Sequence, residues 1–186
     1  ILGMALLGAD NLPIIGPVIA LVLFMVGAAV GGRVLRRVEV GWTRLSTIVF
    51  SGVGLMLLAA AVLLFIVGRH PEQPLQWTVT GMLGLAMGAQ AATARIIAVK
   101  DVTTVVVTST LAGLAADSVF GGSKNQPWAR RAGAVALIGL GAVVGAAAVH
   151  LEPAIGLLVS AVIVLTVAVW GHVATGGPVP EVVAEA

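Results

Sequence analysis

The sequence has no cysteine and little charge: of 186 residues, 10% are Asp, Glu, Lys or Arg and 59% are hydrophobic. Without cysteine there is no disulfide framework, no thiolate metal site and no cysteine nucleophile, and the redox compartment is not readable. Soluble domains carry roughly 25% charged residues, so the shortage of charge excludes an ordinary water-soluble domain. The phosphate-cradling G-x-x-x-x-G-K-[ST] loop is absent, and "FGGSKN" at 120–125 is a Gly turn with one Lys. There is no Ser/His/Asp order with a nucleophile elbow. His70, His150 and His172 lie at the ends of apolar runs with no i, i+4 His or carboxylate partner. The sequence therefore reads as a non-enzyme, with no catalytic residues, metal or cofactor.

What is present is apolar length. Mean hydropathy is +1.11, and several apolar runs approach the roughly 20 residues that a helix needs to cross about 30 Å of hydrocarbon. Spanning helices are expected at roughly 12–32, 46–68, 77–97, 132–150 and 153–173. Pro13 and Pro17 fall near the start of the first, where amide donors lack intrahelical partners anyway. "HPEQP" and "LEP" read as breakers. The fold class is thus all-α: a polytopic transmembrane bundle of about five spanning helices, one domain over 1–176, with 177–186 as a cytoplasmic tail of no expected fold. The chain opens on Ile1 with no signal-peptide pattern, which points to a start inside a longer protein.

The ten basic residues sit between apolar runs rather than along one exposed face, so they read as topology signals and not as a nucleic-acid footprint. Residues 102–120 are apolar enough to enter the bilayer but short. If they enter and leave on one side, Arg33, Arg36, Arg37, Arg44, Arg95, Lys100, Lys124, Arg130 and Arg131 share a face and only Arg69 lies opposite. If they cross, Lys124, Arg130 and Arg131 change sides and the bias weakens. The first arrangement, a re-entrant or broken helix, fits the positive-inside rule better. Trp42, Trp77, Trp128 and Trp170 fall near run ends, as headgroup-level anchors do.

Polar residues concentrate in "MGAQAATARIIAVKDVTTVVVTSTLAGLAAD", residues 87–117. In hydrocarbon an unpaired amide or hydroxyl costs several kcal/mol, so such groups face protein or a water-filled cavity. Gly81, Gly84 and Gly88 just upstream share a helix face that would let another backbone approach closely. Gln90 with Thr103, Thr104, Thr108, Ser109 and Thr110 is the candidate substrate-binding cluster, and Asp117 and Arg95 are the candidate ion- or proton-coupling residues; Asp101, six residues past Arg95, is the partner that Arg95 could pair with. The plainer reading of each hydroxyl is interhelical glue, and of Arg95 and Asp117 a helix end that meets water. An internal echo pairs "LLGADN" at 6–11 with "GLAADS" at 113–118, and "VGAAVGG" at 26–32 with "VGAAAVH" at 144–150. It suggests two inverted halves, as in many secondary transporters.

The stretch "GLAMGAQAATARIIAVKDVTTVVVTSTLAGLAADS" resembles the YoaK family of bacterial multipass membrane proteins (domain of unknown function 1275). Gln90, Arg95, Thr103, Thr104, Thr108, Thr110 and Leu111 match that family's pattern; Ala91 and Ser109 depart from it, standing where Asn and Gly are common. The resemblance implies a bacterial cytoplasmic-membrane protein whose relatives begin with a further helix and an "MTGN"-like turn. Two functions lead: a small transporter or permease with a polar midplane site for an unknown small solute, and a non-transporting scaffold or partner-binding subunit whose Thr and Gly residues pack helices; an intramembrane enzyme is the remaining alternative, with Asp117 alone placed as a base. The expected partners are the lipid bilayer and that solute, with no nucleic acid; homo-oligomerisation is left open.

Overall fold

The computed structural model describes residues 14–36, 41–68, 71–97 and 128–175. Their architecture is all-helical: α1 (Ile15–Val34), α2 (Arg44–Val67), α3 (Gln73–Ile97), α4 (Trp128–Leu151) and α5 (Pro153–Thr175). All but α3 are long and apolar enough to cross a bilayer. Helix α3 has 25 residues and is less apolar than α1, α2 and α5. It nevertheless packs along α1 from Gly81 to Ala92, and so lies at the same depth.

The helix ends follow from local chemistry. Thr43 caps α2: its Oγ1 accepts the Ser46 amide at 3.3 Å, satisfying a first-turn donor that has no intrahelical partner. Gly68, at φ +84°, closes α2 in the left-handed region that favours glycine, and its amide bonds to the Leu64 carbonyl at 2.8 Å. Helix α3 begins at Gln73, four residues before the expected Trp77. Pro74 is tolerated in a first turn, where it removes no hydrogen bond. Pro153, by contrast, separates α4 from α5 at the single residue Glu152, because it has no amide to continue the α4 ladder.

Two contacts hold the bundle. In the first, α1 and α3 run parallel and meet through small residues. A Cβ on Gly84 would lie 2.7 Å from the Ala20 carbonyl oxygen, and one on Gly31 would lie 3.0 Å from the Ala89 carbonyl oxygen. Gly27 against Leu85 and Gly88 against Phe24 leave still less room. Gly27-x-x-x-Gly31 thus faces Gly84-x-x-x-Gly88. Backbones come close enough for dispersion and Cα–H···O contacts to replace the hydrophobic drive that lipid does not supply. Gly81 differs from the expectation in detail, since the Leu23 and Ile19 side chains, and no backbone, fill the space over it.

In the second contact, α2 and α5 run antiparallel, with Gly54 against Leu165 and Trp42 against Gly171. Phe50, Val53 and Leu57 of α2 form one core with Ala161, Val164 and Ala168 of α5 and Ala86 of α3. Trp42 is more than a headgroup anchor. It is half-buried, stacks on Phe50 with ring centroids 5.2 Å apart, and donates its indole N–H to Thr47 Oγ1 at 3.0 Å. Helix α3 packs against both α1 and α2, whereas α4 is attached mainly to α5 and is almost wholly exposed.

The glycine seam makes a paired prediction. Gly88→Ala drives a methyl into the Phe24 backbone, which cannot move aside alone, and should cost about 1–3 kcal/mol, the usual penalty of overpacking. Gly32→Ala has no atom within 4 Å to meet and should be neutral or slightly stabilising. Unfolding midpoints in mixed detergent compare the two; equal midpoints would show that α1 and α3 do not touch as described.

Candidate functional site

Helix senses follow from the contacts. Helix α1 ends on the face where α2 begins; α3, parallel to α1, ends there too; and α5 ends there because Gly171 lies against Trp42. Glu152 alone joins α4 to α5, and Gly156 packs back on Val149 and Ala148. Helix α4 therefore starts on the face where α5 ends. Ile97 and Trp128, the described ends flanking 98–127, consequently lie on one face, which is what the re-entrant reading requires. Residues 102–120 themselves lie outside the described residues. This face carries Arg33, Arg36, Arg44 and Arg95 at helix ends and Arg130 and Arg131 in the first turn of α4; Glu72 and Glu152 lie opposite. Helices α1 and α4, which carry the echoed segments, run in opposite senses, as do α2 and α5. Their packing is not equivalent: in α1 the echoed segment meets α3, while in α4 it is exposed apart from half-buried Gly145 and buried Ala148.

The polar residues of α3 divide by face. Gly84 and Gly88 face α1, and Ala86 turns to the core formed with α2 and α5. Thr93 is fully buried and donates to the Ala89 carbonyl one turn back at 2.8 Å, so its hydroxyl is satisfied within its own helix. The third face contains Gln73, Thr80, Met87 and Ala94 at sevenfold spacing, with Gln76 beside them; Gln90, four residues beyond Ala86 and seven from Leu83 and Ile97, stands where this face borders the core side. Gln73, Gln76, Met87 and Ala94 are exposed, and Thr80 and Gln90 half-buried. Gln76, near the helix start, donates to the Pro71 carbonyl at 2.8 Å. Thr80 and Gln90 lie deeper in the span, where polar groups need protein or water.

Of the sequence-expected site, the structure describes two members. Gln90 stands where this third face borders the core formed with α2 and α5. Arg95 is exposed in the last turn of α3, at the arginine face. Thr103, Thr104, Thr108, Ser109, Thr110 and Asp117 lie outside the described residues. Thr80 was not singled out from the sequence; its sevenfold spacing from Met87 and the neighbouring Gln90 was the available signal. An apolar groove along α5, lined by Val162, Leu165, Val169 and Trp170, carries one hydroxyl, Thr166, which donates to the Val162 carbonyl at 2.7 Å. Acyl chains fit such a wall and polar solutes do not. Among the described residues, no group of three His, Cys, Asp or Glu gathers to hold a metal.

The helix senses are checked by single-cysteine labelling in intact cells, without background from native thiols. Arg36→Cys and Arg130→Cys should react with an impermeant maleimide under one condition, intact or permeabilised, and Glu72→Cys and His150→Cys under the other. If Arg130→Cys sorts with Glu72→Cys, the chain crosses the membrane between Ile97 and Trp128 and the assignment fails.

No curated protein matches the chain, and no solved structure matches it. A family model described as "Protein of unknown function (DUF1275)" covers residues 1–170. With four helices long and apolar enough to span a bilayer, the chain is an integral membrane protein that belongs to the DUF1275 family.

Proposed function

We propose that this protein is a small transporter or permease, and that the third face of α3 forms one wall of its polar pathway. The observation that carries the reading is a pair of half-buried polar side chains at span depth on α3: Thr80 beside the exposed Met87 face, and Gln90 where that face borders the core formed with α2 and α5. Helix packing accounts for Thr93, which is buried and internally bonded. It gives no such account of Thr80 or Gln90. A primary amide offers two donors and an acceptor and a hydroxyl offers both functions, so the wall suits a small polar solute of little net charge.

Thr103, Thr104, Thr108, Ser109 and Thr110 supply the remaining hydroxyls in this reading, and Asp117 carries an ion or a proton. The opposed senses of α1 and α4, and of α2 and α5, support a rocking mechanism between two inverted halves. No step in it is catalytic and no cofactor takes part. The membrane is the bacterial cytoplasmic membrane, with the arginine face inward, as positive-inside sorting requires.

Water contact at Gln90 is the test. Gln90→Cys and Thr80→Cys should react with a maleimide, which needs the aqueous thiolate, at least about tenfold faster than Leu55→Cys or Leu140→Cys, whose parent side chains, 58% and 62% exposed, lie mid-helix in apolar spans. A Gln90→Cys as inert as Leu140→Cys would sink the pathway and leave the scaffold reading, in which α3 uses this face for packing.

A further inference from the structure

The described charges are sorted by face. Arg33 and Arg36 close α1, Arg44 opens α2 and Arg95 lies in the last turn of α3; all four are exposed. Both described carboxylates, Glu72 and Glu152, lie at the opposite face. Among the described residues, then, these arginines share their face with no acid. Arg95 stands seven residues beyond Gly88, on the side of α3 that meets α1. Arg36 follows Leu35, which is 1% exposed and whose amide bonds to the Gly31 carbonyl at 3.1 Å. Arg36 and Arg95 therefore stand beyond the same end of the glycine seam, past the Gly31–Ala89 contact.

We propose that this end of the α1–α3 seam seats the phosphate of an anionic phospholipid, with Arg36 and Arg95 as its principal contacts and Arg33 and Arg44 strengthening the field. Orientation during insertion needs only an excess of basic residues on one side. It does not need them on adjacent helices held together by glycine. A guanidinium offers a planar fork of donors that matches phosphate oxygens. Below the arginines, Val26 and Val30 of α1 are 43% and 54% exposed, and Val26, Val30 and Arg33 follow one ridge at i, i+4 and i+7 spacing. A phospholipid meets both surfaces at once, its phosphate at the arginines and its acyl chains on the valines, and a free phosphate ion meets only the first.

The experiment is lipid retention by native mass spectrometry of the full protein from bilayers of phosphatidylcholine mixed with phosphatidylglycerol. The wild type should retain phosphatidylglycerol preferentially. Arg36→Gln and Arg95→Gln should each lower that preference about fivefold, the effect of one basic residue near an anionic surface, while Arg36→Lys with Arg95→Lys should keep most of it and Glu72→Gln should leave it unchanged. Equal retention of the two lipids by the wild type overturns the proposal, whatever the variants do. So does an unchanged preference in the folded Arg36→Gln/Arg95→Gln protein. Displacement of phosphatidylglycerol by inorganic phosphate would overturn the lipid assignment in favour of a free-anion site.

Discussion

The backbone contact between α1 and α3 sets the rest of the bundle. Acyl chains are as apolar as leucine, so transmembrane helices gain nothing by hiding leucine from lipid and must associate through close packing. Gly27 and Gly31 on one helix and Gly84 and Gly88 on the other remove the side chains that would hold the axes apart. Because the seam is parallel, α2 must return between the two helices it connects, and it then presents Phe50, Val53 and Leu57 to α5. The position of α5 follows from that constraint, whereas the break at Glu152 is set locally by Pro153.

The same constraint explains why α3 is less apolar than α1, α2 and α5. With α1 on one side and α2 on another, most of its circumference meets protein, and the cost of a polar side chain in hydrocarbon is confined to the remaining face. Thr93 illustrates the covered case: it is buried, and its hydroxyl returns to its own helix. Thr80 illustrates the other, and Gln90 stands where the open face borders the core. Their chemistry is costly against acyl chains and useful against water, and this difference separates the transport reading from the scaffold reading.

The spans of α1, α2 and α5 were legible in the sequence to within a few residues, because the length of an apolar run is set by bilayer thickness alone. The start of α3 was not, since Pro74 breaks a helix interior but not a first turn, and hydropathy does not tell the two apart. The glycines of α3 were legible as a contact face; that their partner is α1 was not, because Gly-x-x-x-Gly marks a close approach without naming the other helix. Trp42 was legible only as an aromatic near a run end. Its role over Gly171 depends on a glycine more than a hundred residues away. Gln90 was legible as a polar residue inside a span, but the face it occupies required knowing which two faces α1 and α2 cover.

Charge closes the argument, because it was read independently of any packing. The positive-inside rule alone favours a chain that enters and leaves the bilayer on one side between α3 and α4, since this keeps the basic residues together. The helix contacts reach the same assignment with no reference to charge, through the parallel seam, the Trp42–Gly171 contact and the hairpin at Glu152. Packing and electrostatics thus select one set of helix senses. That set reverses α4 against α1 and α5 against α2, which is the chain direction that two inverted halves would require, whatever the likeness of alanine-rich segments, which recur by chance.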